Sequence, residues 1–317
     1  MNMKIKPIIL GIKGTYLSKK EYFLFKQYSP IGYIIFSRNI QNFLQLKNLI
    51  SQLKSINPKN DILIMIDHEG GRVNRFLKFF NQDQYSAQIF GKLYKTNLKQ
   101  FNYQLDNFIN VNSNLFNFLG INLVAAPVMD LFYPNASLVI GDRAYSNKVD
   151  EVKTIGKIVI EKYKKRGILT IAKHAPGHGL SKLDSHYYLP KITHNRDFLF
   201  KNDFSSFKNI KSPFLMTAHI VYDSLDKTNP ATFSKFIIKG IIKKILNYKG
   251  LIMSDDICMK ALKGTVEVKA RKSFQAGCDI VLHCSGNFNE MQRLLLSSPD
   301  ATSLLLTKII KIFNYRQ

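Results

Sequence analysis

Along the chain, short apolar runs rich in β-branched residues alternate with longer stretches in which apolar positions recur every three or four residues. The short runs, at residues 8–12, 32–36, 62–66, 121–125, 168–172, 214–217, 251–253 and 280–283, read as strands, each followed by turn residues. The longer stretches predict helices near 19–27, 43–55, 102–118, 150–166, 235–247, 259–276 and 287–296. Strands alternating with helices imply a parallel sheet. Eight such units in 317 residues predict a single-domain (β/α)8 TIM-type barrel spanning 1–317, with an open doubly wound sheet as the alternative. No proline-rich linker, low-complexity tract or fixed-period repeat divides the chain.

A barrel reading can be checked in the sequence itself, because barrel active sites sit at the C-terminal ends of the strands. Ionisable residues should then cluster just after each apolar run, and they do. The third run leads into Asp67-His68-Glu69-Gly70-Gly71-Arg72, the fifth into Lys173-His174, the sixth into Thr217-Ala218-His219 and the seventh into Ser254-Asp255-Asp256.

Residues 173–186, Lys-His-Ala-Pro-Gly-His-Gly-Leu-Ser-Lys-Leu-Asp-Ser-His, are the richest of these segments. Pro176, Gly177 and Gly179 break a helix, so the segment is expected to be an irregular loop. His174 and His178 have the spacing of a helical zinc pair, but the helix-breaking Pro176 and Gly177 lie between them, and no metal is expected. Asp184 and His186 are better placed. On extended backbone a carboxylate two residues from an imidazole lies on the same side, where it orients one tautomer and stabilises the imidazolium. Gly70 and Gly71 allow a tight turn after Asp67, and Arg72 or Arg75 is expected to point inward. Arg143 offers a further cation on the turn Gly141-Asp142-Arg143. Of Asp255 and Asp256, one is expected to face the barrel centre as a candidate nucleophile while the other is tied into the wall. A carboxylate nucleophile, a His–Asp proton carrier and a ring of charged groups suit displacement at the acetal carbon of a sugar with retention.

Composition narrows the class. With 45% hydrophobic residues the chain is globular, and its three cysteines form no Cys-x-x-Cys pair or even framework, which fits free thiols in a reducing compartment. No apolar run reaches the length of a membrane span, and residues 1–11 lack the features of a signal peptide, so a cytoplasmic protein without membrane insertion is expected. The net charge of +24 raises the question of nucleic acid. Its lysines, however, are dispersed over candidate helix faces without an aromatic–basic recognition motif, so no specific nucleic-acid partner is expected, and a monomer is.

The segments 66–75, 173–179 with Asp184-Ser185-His186, and 254–256 together resemble the bacterial β-N-acetylhexosaminidases of glycoside hydrolase family 3. Supporting fragments at 35–40, 140–143, 216–219 and 230–232 fall in the family's order. The resemblance implies Asp255 as nucleophile, His186 as general acid/base and Asp184 as its partner, with Asp67, Arg75, Arg143, Lys173 and His174 binding the sugar. It further implies a cofactor-free enzyme that removes terminal N-acetylglucosamine from small saccharide or muropeptide substrates, notably those ending in 1,6-anhydro-N-acetylmuramic acid, in cell-wall recycling. A family 3 glycosidase or phosphorylase of other specificity, or an inactive barrel binding polyanions or muropeptides, are the competing readings. The chain departs from the family pattern at Ala175, where phenylalanine is usual, at His68, where glutamine is common, and over 131–139; the smaller side chain at 175 is expected to anchor the loop less firmly.

Overall fold

The computed structural model describes residues 4–58 and 61–314; residues 1–3, 59, 60 and 315–317 of the expected 1–317 domain lie outside the described residues. All eight apolar runs form strands: β1 Lys4–Gly11, β2 Tyr28–Ile35, β3 Leu63–Ile66, β4 Leu123–Val124, β5 Leu169–Ala175, β6 Phe214–Thr217, β7 Leu251–Asp256 and β8 Ile280–His283. Every neighbouring pair is parallel, and β1 pairs with β8 to close the sheet in the order β1-β8-β7-β6-β5-β4-β3-β2. The fold is the (β/α)8 barrel.

Two apolar layers hold it, as the two-residue period of a strand requires. Ile9, Ile34, Met65, Leu123, Ile171, Met216, Met253 and Leu282 fill the interior. Their neighbours Ile8, Leu10, Tyr33, Ile35, Ile64, Ile66 and Val124 face outward into the larger core beneath the helices. The N-terminal end of the barrel is covered by the helix Ser303–Asn314, whose Leu305, Ile309 and Phe313 join the interior cluster, while Ala301 N–H donates to the Ile5 carbonyl at 2.7 Å. Burial of each such side chain contributes roughly 1.5–3 kcal/mol. With that end covered, the opening of the barrel lies at the C-terminal strand ends.

The helices Lys19–Gln27 and Phe43–Ser55 fall where periodicity places them, capped by Ser18 and Asn42. Others differ. The expected helix 259–276 begins only at Val266, because the chain after β7 first turns through Met259 and Leu262 and passes Gly264 at φ +106°. The expected 102–118 extends over Leu98–Leu119, and Ala87–Thr96 precedes it; Asn97 ends the first and caps the second. The stretch near 235–247 is a π-helix, Phe236–Ile245. The fifth strand runs three residues beyond the expected 168–172, so Lys173, His174 and Ala175 belong to the sheet rather than to a loop. Lys173 N–H donates to the Pro127 carbonyl at 3.1 Å, and Ala175 pairs with Thr217 after a register shift. This extension holds Lys173 and His174 as fixed wall residues.

Candidate active site

The site begins with Asp67, the first residue past β3. Its carboxylate accepts from Arg75 Nη2 and from Lys173 Nζ, both at 2.6 Å. The turn that brings Arg75 back is closed by Gly70 at φ +87°, where a Cβ would lie 2.4 Å from the Tyr85 carbonyl oxygen, so only glycine fits. Arg72 departs outward to Asp142 and to the carbonyls of Leu138, Val139 and Ile140, which makes Arg75 the inward arginine. Arg143, its side chain 11% exposed, grips Glu69 bidentately at 2.7 and 2.8 Å, and Lys173 also pairs with Glu69. Burial acts to raise the Asp67 and Glu69 carboxyls, but Lys173, Arg75 and Arg143 hold Asp67 well below the usual carboxylate range, and Arg143 with Lys173 lowers Glu69. The result is a preorganised ionic floor.

At the end of β5, His174 Nδ1 faces Asp130 Oδ2 at 2.7 Å and its Nε2 lies 3.4 Å from Arg143 Nη2. Asp130 is fully buried and also accepts the N–H groups of His174 and His178. The His178 ring faces Ser185 Oγ at 3.0 Å. Both histidines are therefore engaged in holding the loop and strand end. Burial, with the neighbouring His174 adding, pulls the His178 ring down to about 4, so it is neutral at physiological pH.

Beyond Ala175 the chain leaves the sheet and returns with the acid/base candidates. Gly177 at φ +144° packs so closely on Asp203 that a Cβ would stand 2.7 Å from the Asp203 Cβ. Tyr222 donates to the Gly177 carbonyl at 2.5 Å. Farther along, Asp184 Oδ1 accepts the His186 N–H at 2.8 Å and faces His186 Nδ1 at 2.7 Å; the two meet on a turn, with Tyr187 and Tyr188 N–H donating to the Asp184 carbonyl, rather than on the extended backbone expected. Burial works against the charge on Asp184, yet the His186 N–H, the ring and its charge hold the carboxyl below its usual range. Unlike the floor, His186 is 60% exposed along its side chain. Its carbonyl accepts Lys260 N–H at 3.2 Å, which fastens the loop to the chain beyond β7.

Asp255 and Asp256 end β7 with the division of labour expected of adjacent strand residues. Asp256 Oδ1 accepts the N–H groups of Cys258 and Cys284 at 2.9 and 3.0 Å and is tied into the wall. Asp255 has a different environment. Burial raises its carboxyl, but His219, His174 and Lys173 together outweigh that and keep it ionised. His219, set by Thr232 and the Asp256 carbonyl, stands behind it.

Asp67, Arg75, Arg143, Lys173, His174, Asp184, His186 and Asp255 all line one cleft of about 730 Å³ at the C-terminal barrel end. Glu69 and Asp130 are site residues that no motif spacing marks; the signal for them in the sequence is ionisable character just past the third and fourth apolar runs. The apolar wall of Phe36, Met65, Met216 and Met259 carries no such mark. Among the described residues, the group with the reach to hold a metal ion is Cys258, His283 and Glu290, which lies outside this cleft's charged floor.

Comparisons with known proteins agree with the barrel. Residues 13–300 match the model of the glycosyl hydrolase family 3 N terminal domain. A beta-hexosaminidase of Neisseria gonorrhoeae is 33% identical over 285 residues, covering 88% of this chain and 78% of the relative. One of Alkalilimnicola ehrlichii is 32% identical over 288 residues, covering 89% and 82%. The crystal structure of NagZ from Neisseria gonorrhoeae in complex with N-trifluoroacetyl-D-glucosamine superposes with a TM-score of 0.87 at 30% identity, over 99% of this chain and 90% of that one. By barrel, strand-end chemistry and these matches, the chain belongs to glycosyl hydrolase family 3.

Proposed function

We propose that this chain is a retaining exo-β-N-acetylglucosaminidase that removes the terminal non-reducing N-acetylglucosamine from peptidoglycan fragments such as GlcNAc-1,6-anhydro-MurNAc muropeptides. The observation that carries the reading is the convergence of an ionised Asp255, a hydrogen-bonded Asp184–His186 pair and a buried ionic floor on one sugar-sized cleft. The beta-hexosaminidase names of the relatives and the glucosamine derivative in the related crystal structure support the substrate class.

In the first step Asp255 attacks the anomeric carbon as the glycosidic bond breaks, and His186 gives its proton to the departing oxygen. In the second, His186 takes a proton from water, the water oxygen bonds to the anomeric carbon, and Asp255 leaves as carboxylate. Asp184 holds the imidazole and stabilises its charged form, while Asp67, Arg75, Arg143, Lys173 and His174 bind the sugar. Within this proposal the chain acts as one catalytic domain, a cytoplasmic monomer with no organic cofactor; its three free cysteines suit a reducing compartment, and no helix among the described residues is long and apolar enough to cross a membrane.

The test is hydrolysis of an aryl β-N-acetylglucosaminide by wild type, Asp255→Ala and His186→Ala. Both variants are expected to lose turnover, and the histidine variant is expected to accumulate a glycosyl adduct, visible by mass spectrometry, when the leaving group departs unaided. Full activity in Asp255→Ala ends the mechanism. Phosphate-dependent release of sugar 1-phosphate by wild type would assign it instead as a phosphorylase.

A further inference from the structure

Behind the wall that carries Asp255, three side chains from separate elements converge. Cys258 lies on the turn after β7, His283 ends β8, and Glu290 lies in the first turn of the helix Phe288–Ser297. One ligand-capable atom from each falls within 4.8 Å of the other two. His283 Nε2 is 3.2 Å from Glu290 Oε2, and Ser285 Oγ donates to the same oxygen at 2.7 Å.

A plain hydrogen-bond cluster at a helix start accounts for only part of this. The His283 side chain is fully buried, and its Nε2 is turned toward Glu290 Oε2 and, at 3.4 Å, Ser285 Oγ. Cys258 is free and half-buried, and Glu290 is partly exposed, which leaves an entrance from solvent. Two ligands on a tetrahedral zinc, each about 2.1 Å from the ion, stand roughly 3.4 Å apart, close to the 3.2 Å His283–Glu290 separation. Thiolate and carboxylate together neutralise a divalent charge, which removes the main penalty of seating an ion against a buried wall.

We infer that Cys258, His283 and Glu290 form a binding site for one divalent d-block cation of the zinc class, completed by water beside Ser285. Sulfur, nitrogen and oxygen in a three-ligand set suit that borderline class rather than calcium or magnesium, which take oxygen alone. On binding, the Cys258 S–H bond breaks, its proton goes to solvent and an Sγ–metal bond forms; nothing is oxidised or reduced. The site also touches the cleft. Asp256 accepts the N–H groups of Cys258 and Cys284, and Ser285 lines the cleft wall, so a bound ion joins the turn after β7 to β8 and the following helix beside Asp256.

The test is titration of the full, freshly reduced, metal-free chain with Co2+, whose near-ultraviolet thiolate charge-transfer band reports sulfur ligation. One equivalent is expected to raise the band in wild type and in His186→Ala, where the cleft histidine is gone. Cys258→Ser is expected to abolish the band. Glu290→Gln is expected to weaken Co2+ binding at least about tenfold, and it carries the test if Cys258→Ser fails to fold, since Glu290 sits on a partly exposed helix turn. A wild type with no thiolate band at saturating Co2+, a band that persists in Cys258→Ser, or an undiminished affinity in Glu290→Gln overturns the site.

Discussion

The floor of the cleft and the loop above it are built in opposite ways from the same kinds of residue. On the floor, Asp67, Glu69, Arg143 and Lys173 form a closed ionic network anchored to β3 and β5, with the side chains of Glu69 and Lys173 only 6% and 2% exposed. In the loop, Asp184 and His186 form a single pair, 35% and 60% exposed, fixed by local hydrogen bonds, by the His178 ring on the intervening Ser185 and by a tie to Lys260. A buried network fixes geometry that cannot relax without leaving a charge stranded. An exposed pair keeps its geometry cheaply and can move with the segment that carries it. Sugar binding thus rests on the barrel, and proton delivery rests on a movable support.

The comparison breaks most readily in stability. Arg143→Ala leaves Glu69 buried without its bidentate partner and is expected to cost about 3–5 kcal/mol. Asp184→Ala is expected to cost below about 1 kcal/mol, because its pair is largely solvated. Chemical denaturation of the two variants decides it, and equal losses would mean that floor and loop are not mechanically distinct.

The next effect lies in chemistry. Asp184→Asn keeps an acceptor for the His186 N–H but removes the charge that supports the imidazolium. A fall in kcat of about 10²-fold, about 2.7 kcal/mol, is expected with aryl glycosides of poor leaving groups. The fall should shrink as the leaving group improves, with KM little changed, since the floor is intact. Asp67→Asn should do the reverse and act mainly on KM, whatever the leaving group. Steady-state kinetics across a leaving-group series separates the two patterns.

The two regions were also unequally legible in the sequence. The strands were visible because apolar, β-branched runs have nowhere to go but the interior of a parallel barrel, and their polar ends marked the floor. Asp184 and His186 were found by local spacing, which needs no tertiary knowledge. What escaped depended on contacts between distant segments. Glu69 becomes a site residue only when Arg143, far along the chain, closes on it. The strand character of Lys173–Ala175 comes from Pro127 and Thr217, and a Pro-Gly signal immediately downstream obscured it. Cys258, His283 and Glu290 share no motif spacing, so only folding brings them together. Ala175, expected to loosen the loop, is fully buried in the outer core, with its carbonyl accepting Ala218 N–H at 2.7 Å. The backbone at that position is therefore anchored by the sheet whatever the side chain.

Asp203, at the junction of the two regions, sharpens the comparison through pH. It packs against Gly177 and beneath Gly179, where the chain leaves the floor to become the loop. Burial pushes its carboxyl up to about 7; the hydrogen bond from Tyr133 at 2.8 Å opposes the rise, and the buried Asp130 adds to it. In the unfolded chain an aspartate titrates near 4. Between about pH 4 and 7 the folded protein therefore holds a proton that the unfolded chain has released. Stability from this group is complete below pH 4 and is lost as pH rises through 7, with a slope of at most about 1.4 kcal/mol per pH unit. The floor carboxylates, with lowered values, lose their contribution progressively as pH falls from the unfolded carboxylate value near 4 toward their own low range, so they leave most of this window flat. Urea denaturation of Asp203→Asn across the window should show the slope diminished, with the remaining dependence like that of an ordinary carboxylate surface. If the loop is the part that responds, His186 accessibility to a histidine-modifying reagent should rise with pH in wild type and stay level in Asp203→Asn. A wild-type slope unchanged by Asp203→Asn would place the titrating group elsewhere and leave the loop's base uncoupled from pH.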